Sequence, residues 1–165
     1  MLKNKRGETY VTVCVLILIL VTVFSVIFTY ASVITEVRLQ KTNARIVFDS
    51  FVANNSIRIY GNIKRGSNAM RGVDVVSFNS SLIDFCSLDF RDSMLYCVDA
   101  DGGLRYRMTV PSVGYTEDGH LELYAAFTMY VPIRFAGVTV STAEVPVRIT
   151  SALESKYESE GSMTP

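Results

Sequence analysis

The feature that most constrains this 165-residue chain is a run near its N-terminus that contains no charged side chain, residues 9–35. All sixteen basic and all sixteen acidic side chains lie outside it. The stretch that begins at Val11 and ends at Ile34 is apolar on every face of a helix, whereas a helix at the surface of a soluble domain keeps a polar face. A helix needs about 20 apolar residues to cross a bilayer core about 30 Å thick. We therefore predict a transmembrane helix over residues 9–35, with the lipid bilayer as its partner.

A secretory signal peptide is the main alternative for such an apolar N-terminal segment. Thr29-Tyr30-Ala31 has the small-x-small pattern of a cleavage site. The apolar region of a cleavable signal, however, is only about 7 to 15 residues long, and the stretch before Thr29 is longer. We therefore favour a permanent anchor.

The charges that flank the apolar run predict its orientation. Residues 1–8 form a leader with three basic side chains, whereas Glu36 and Arg38 after the run nearly cancel. Because basic residues are retained on the cytoplasmic side of a membrane, the leader is predicted to be cytoplasmic and the rest of the chain extracytoplasmic. We expect a single-pass protein of the cell membrane.

Residues 36–55 are predicted to continue the helix as an amphipathic stalk. Their apolar side chains recur at three- and four-residue steps, which places them on one face. Arg45 and Asp49 have the i,i+4 spacing of an ion pair on another face. The residues expected to pack this stalk against the domain that follows are Phe48, Phe51 and Val52.

Two further features of the stalk concern its partners and its end. Leu39 and Ile46 do not belong to the packing face, so the stalk is expected to contact partners on a second side. Asn54-Asn55 is the predicted end of the helix, because Asn tolerates the left-handed conformation that terminates helices.

After the stalk the hydrophobic period changes from helical to two residues. Residues 104–110, 121–131, 138–140 and 145–149 alternate in the way that predicts half-buried strands. Asp101-Gly102 and Asp118-Gly119 separate such runs and are strong hairpin signals. Weaker strands are predicted at 73–78 and 94–98, a basic loop at 61–72 and a disordered polar tail at 155–165. The fold class predicted is therefore α+β, with an antiparallel β domain over residues 56–154 packed on the helix.

No catalytic, cofactor or metal site is predicted. The formal net charge is zero, so a nucleic-acid partner held by phosphate contacts is not expected. His120 is the only histidine, and it follows a turn glycine. Residues 99–102 resemble the start of a calcium loop but are followed by arginines where oxygen ligands are needed, so a hairpin turn is the preferred interpretation. We expect a protein without enzymatic activity.

The cysteines bear on the compartment of the β domain. An extracytoplasmic location favours a disulfide between Cys86 and Cys97, and closing so short a loop would stabilise the fold by about 3 kcal/mol. Two free buried thiols are the alternative. Cys14 lies in the apolar run and is interpreted as a small apolar residue.

The leader that ends in Arg6-Gly7, the long apolar helix that follows at once, the amphipathic extension and the small sheet domain together resemble type IV pilin-like proteins. The closer resemblance is to TadE-like proteins, the single-span pseudopilins of the tight-adherence (Flp) pilus system, including their Gram-positive relatives. In that family a prepilin peptidase cleaves after a glycine, and a glutamate stands at the fifth mature position. Gly7 matches the cleavage position, which makes Gly7 and Glu8 the possible processing site. Thr12 stands where the family has the glutamate, so we predict that the uncut form dominates.

This resemblance implies a function through assembly rather than catalysis. The chain would be a pilin-like subunit or a component of pilus or secretion assembly, acting by helix packing and by display of its β domain. Its partners would be other single-span pilin-like subunits or a secretion platform protein. The alternative is a membrane-anchored extracellular binding or sensory domain that does not assemble.

Overall fold

The computed structural model describes residues 5–116, 121–135 and 138–152 of the chain. Two helices precede six strands, which makes the fold α+β, as the change of hydrophobic period predicts. The helices are α1 (Lys5–Lys64) and α2 (Val75–Cys86). The strands are β1 (Asp89–Arg91), β2 (Met94–Val98), β3 (Leu104–Thr109), β4 (Ser112–Thr116), β5 (Glu122–Phe135) and β6 (Val138–Ala152).

Helix α1 is 60 residues long, about 90 Å at 1.5 Å per residue. It does not end at Asn54-Asn55, so that prediction is wrong. The Asn55 side chain donates to the Phe51 carbonyl oxygen at 2.9 Å, and the buried face continues to Ile59, which is fully buried. Burial of this next turn outweighs the tendency of asparagine to end a helix.

The end of α1 is instead set by a glycine in the left-handed conformation. Gly66 has a φ of 65°, and the amide of Ser67 donates to the Asn62 carbonyl at 3.0 Å. A hydrogen bond from an amide to the carbonyl five residues earlier, with a left-handed glycine just before the amide, is the Schellman motif that commonly ends helices. The predicted basic loop at 61–72 is therefore partly helical, since its first four residues belong to α1.

Helix α2 replaces the strand predicted at 73–78, and that prediction is also wrong. The Asp74 carboxylate accepts a hydrogen bond from the Val76 amide at 3.0 Å, which caps the helix N-terminus. Phe78 and Leu82, four residues apart, are both buried on one face. The period of a short apolar run does not distinguish a strand from a buried helix. Here the Asp74 cap and the burial of Leu82, one turn after Phe78, favour the helix.

The six strands form one antiparallel sheet in the order β1-β2-β3-β5-β4, with β6 on the other edge of β5. Strands β3 and β4 follow one another along the same edge of β5: Arg107 is opposite Tyr130 and Ser112 is opposite Ala126. Pro111 separates them, because proline has no N–H to donate to the ladder. The two segments thus act as one interrupted strand, and the sheet is a simple meander.

The hairpin of β5 and β6 is the longest pair in the sheet, with register partners from Glu122 and Ala152 to Phe135 and Val138. The Asp118-Gly119 turn predicted before it lies outside the described residues, as do residues 1–4 of the leader and the tail at 155–165. The Asp101-Gly102 turn is formed: the Asp99 amide donates to the Gly103 carbonyl at 2.8 Å.

The core lies between one face of α1, helix α2 and one face of the sheet. Alternate residues of β5 from Leu123 to Val131 are buried, and so are Val147 and Ile149 of β6. They share one hydrophobic cluster with the buried residues of the α1 stalk. The stalk is therefore part of the domain that it carries.

Candidate membrane-spanning helix and its junction with the sheet

The N-terminal half of α1 presents its apolar side chains to the outside on every face. Among the described residues, α1 is the one helix long and apolar enough to cross a membrane. None of the residues in its most apolar 18-residue segment is buried. Leu18 is 69% exposed and Phe28 is 71% exposed. Tyr10 and Tyr30, both exposed, are about 30 Å apart along the helix, and tyrosines are enriched at the two interfaces of a bilayer of this thickness.

Three threonine hydroxyls of this apolar half make hydrogen bonds within the helix. Those of Thr22, Thr29 and Thr35 each donate to the carbonyl four residues earlier at 2.8 Å. A hydroxyl bonded in this way needs no water, which lowers the cost of placing it in an apolar medium. The threonines are therefore compatible with a span.

The junction between the apolar half and the stalk is held by an ion-pair network. Arg105 of β3 donates from Nη2 to the Glu36 carboxylate at 2.7 Å, and its Nε lies 3.4 Å from the Asp99 carboxylate. The hydrogen bond to Glu36 raises the pKa of Arg105. Gln40, which is buried, donates to the other Glu36 oxygen at 3.3 Å. The first acidic residue after the apolar run thus ties the helix to the sheet.

Sequence reasoning missed this junction. Glu36 and Arg105 are 69 residues apart in the chain, and neither lies in a motif. The available signal was the position of Glu36 as the first acid after the charge-free run. Its partner could be found only from the register of β3.

The predicted packing residues lie in the core, and their aromatic contacts are with α2. Phe48 is fully buried, and Phe51 and Val52 are 5% exposed. The Phe48 and Phe51 rings each lie 5.5 Å from the ring of Phe78. Helix α1 also contacts β5 and β6. The buried residues of the stalk therefore pack against both α2 and the sheet.

A second apolar set of the stalk faces outward. Leu39, Ile46, Ala53 and Tyr60 recur every seven residues, which keeps them on one side of a helix. All four are exposed, and by helical geometry they lie opposite the buried face that includes Ala44. We call these four residues the stalk stripe. The pair Arg45–Asp49, at 3.7 Å, flanks this stripe as the i,i+4 spacing predicts.

Cys86 and Cys97 are free thiols in the structure, and no disulfide joins them. Cys97 is buried on β2, directly opposite Tyr106 of β3. Burial raises the pKa of the Cys86 thiol to about 11, and the neighbouring Cys97 contributes to this shift. The disulfide between Cys86 and Cys97 stays a prediction.

One end of the sheet meets the apolar half of α1 along a groove. Val131, Pro132 and Arg134 of β5 line one side, and Phe28 and Ser32 are among the residues that line the other. Arg134 donates to the Leu104 carbonyl at 2.6 Å. The β5–β6 hairpin thus runs beside the last turns of the candidate span.

The remaining predicted positions carry no assembled site among the described residues. His120 lies outside them, and no group of three metal-ligating side chains occurs within them. Gly7 and Glu8, the possible processing site, belong to the first turns of α1. Comparisons of the chain with family models, with curated proteins and with solved structures give no match.

Proposed function

We propose that this chain is a non-enzymatic, single-pass membrane protein that acts as a pilin-like subunit or as an assembly component of a pilus or secretion machine. The leader would be cytoplasmic and the sheet domain extracytoplasmic. The observation that carries the proposal is the single 60-residue helix, whose first half exposes apolar side chains on every face while its second half is built into a folded domain. Such a helix offers an exposed surface to other helices at a membrane while it carries a folded domain.

The exposed first half supports the membrane part of the proposal. Leaving so many Val, Leu, Ile and Phe side chains in water would cost about 25 cal/mol for each Å² of apolar surface, and a bilayer removes that cost. The basic leader supports the orientation, because moving a lysine or arginine through the bilayer costs roughly 3 kcal/mol on insertion scales.

The stalk stripe supports assembly by helix packing. Ile46 is 53% exposed and Leu39 is 47% exposed, although both lie on a helix whose other face is fully used by the domain core. A heptad-spaced row of uncharged residues is the kind of seam along which a second helix packs. Because the row lies wholly outside the predicted span, it would guide packing between stalks.

Site-specific photo-crosslinking in native membranes tests this proposal. A photoreactive phenylalanine analogue at Ile46, in the stalk stripe, should crosslink to a second copy of the chain or to a single-span partner. The matched control is the same analogue at Val76, an exposed apolar residue of α2 (71%) away from the stripe, which should give no such product. Ile46→Lys should abolish co-purification of the captured partner, whereas Val76→Lys should not.

The alternative function gives a different result in the same experiment. A membrane-anchored binding or sensory domain that never assembles would yield no specific crosslink from Ile46, although the protein would still be found in the membrane fraction. That outcome would refute assembly and leave the anchor.

A further inference from the structure

The tip of the β5–β6 hairpin carries exposed apolar side chains that the core does not use. Phe135 is 52% exposed, Val138 67% and Val140 68%. Residues 135–143 contain no charged side chain. Scattered single apolar residues on a surface need no explanation, but these three lie at the end of one strand pair and form a local apolar tip.

The register of the sheet places this tip close to the predicted membrane surface. Arg107 is opposite Tyr130, so Arg105, which binds Glu36, is level with Pro132. Phe135 lies three residues further along β5, about 10 Å at 3.3 Å per residue. The same distance along α1 from Glu36 leads to the turn that contains Tyr30.

The contacts of the groove agree with this direction. Pro132 and Arg134 line it together with Phe28 and Thr29 of the candidate span. The strand therefore runs towards the bilayer and not away from it. The first part of the tip, Phe135 and its register partner Val138, comes after Arg134 and lies at or beyond the level of the exposed Tyr30.

The charges near the tip fit a membrane interface. Arg134 is the charged residue next to the tip in the chain, and its guanidinium donates to the Leu104 carbonyl. Asp99 lines the same groove, and its carboxylate is paired with Arg105 at 3.4 Å. The next acidic residue along β6 is Glu144, opposite Tyr130, about 20 Å from Val138 at 3.3 Å per residue. No carboxylate of β6 would thus be desolvated by insertion of the tip.

We propose that the β5–β6 hairpin tip is a second membrane contact, with Phe135, Val138 and Val140 immersed in the interfacial layer of the outer leaflet. This inference rests on the proposed membrane span. The sheet domain would then be attached to the bilayer at two points, the span and the hairpin, and this attachment would restrict its tilt relative to the membrane. An apolar segment that lies in the interface is buried about 5 to 10 Å into the boundary between headgroups and acyl chains.

Tryptophan fluorescence of the full chain in lipid vesicles tests the inference, because the sequence contains no tryptophan. Single-tryptophan variants Val138→Trp and Val140→Trp report on the tip. Tyr30→Trp reports on the span, and Ile57→Trp, at an 89% exposed position about 40 Å further along α1, is the aqueous control. The vesicles contain phosphatidylcholine and phosphatidylglycerol, with or without phosphatidylcholine brominated near the upper part of its acyl chains.

Both tip variants should emit at the blue-shifted wavelength of Tyr30→Trp and be quenched by brominated lipid to a comparable extent, while Ile57→Trp is not quenched. If Tyr30→Trp is quenched but both tip variants behave like Ile57→Trp, the hairpin contact is refuted and the span stands. Blue-shifted tip emission without lipid quenching would also refute it, because another protein surface would then cover the tip. Absence of quenching at Tyr30→Trp would refute the span itself.

Discussion

Truncation of Phe48 to alanine is the sharpest test of how the stalk and the domain are joined. The Phe48 ring is fully buried, 6.2 Å from the ring of Phe51 and 5.5 Å from that of Phe78. It therefore connects two turns of α1 to α2. Phe48→Ala removes this connection and leaves a void that α2 and the sheet can fill only by moving.

The expected loss follows from burial and from the ring contacts. Emptying a buried aromatic site costs about 3 to 5 kcal/mol, and the complete burial of Phe48 places it in the upper part of that interval. A domain of this size has a total free energy of unfolding of about 5 to 15 kcal/mol. Because 1 kcal/mol moves the unfolding midpoint of a domain of about 100 residues by roughly 4 °C or more, the midpoint should fall by more than about 12 °C.

Thermal unfolding of the full chain in detergent, followed by the near-ultraviolet circular dichroism of its tyrosines, measures this change without interference from the helical signal of the span. Ile57→Ala is the matched control on the same helix, since Ile57 is 89% exposed and surface changes are usually within about 0.5 kcal/mol. A midpoint shift of less than about 2 °C for Phe48→Ala would show that this face of the stalk meets lipid or a partner instead of the core.

The remaining predictions concern the cysteines, the ion pair and the topology. In the reduced protein the free energy of unfolding should fall as the pH rises from 9 towards about 11, because Cys86 keeps its proton in the folded state over this interval and loses it in the unfolded state; denaturant titrations should show a smaller fall for Cys86→Ser. Mass spectrometry of peptides from freshly isolated membranes, alkylated without reduction, should show Cys86 linked to Cys97 and Cys14 alkylated; free alkylation of both Cys86 and Cys97 would contradict the disulfide. Glu36→Gln and Arg105→Gln should each lower the free energy of unfolding by about 1 kcal/mol, since the pair is partly exposed, and the double variant should lose less than the sum of both. Protease added to wall-free cells should remove the sheet domain, and N-terminal sequencing should find the leader intact; a protected domain would reverse the orientation, and a chain that begins at Glu8 would contradict the permanent anchor.

Much of the fold could be predicted because its signals are local. The charge-free run of residues 9–35 needs no tertiary partner to be recognised, and the same holds for the period of two in β3, β5 and β6. The burial of Phe48 and its neighbours followed from helical spacing alone. The hydrophobicity of a side chain and its position in a repeat can both be read from the sequence. Together they determine which residues are buried.

The wrong and missing predictions concern segments whose local signals were weak and whose secondary structure depends on burial in the folded domain. Asn54-Asn55 could end a helix, but Ile59 is buried one to two turns later and the helix continues to bury it. The run that begins at Val73 has strand-like composition, but the Asp74 cap and Phe78 place it in a helix. Strands β1 and β4 are short, and they form because β2 and β5 offer them hydrogen-bonding edges.

The sequence by itself determined that this chain has a long apolar helix followed by an antiparallel sheet, because both depend on periodicity and composition. Only the tertiary structure decided that Glu36 pairs with Arg105, that the stalk stripe is left outside the core, and that Pro132 and Arg134 line a groove with the apolar half of α1. Each of these depends on which residues distant in the chain become neighbours. That choice is made by the register of the strands and by the packing of the sheet on one side of the stalk, and neither is encoded in any single stretch of the sequence.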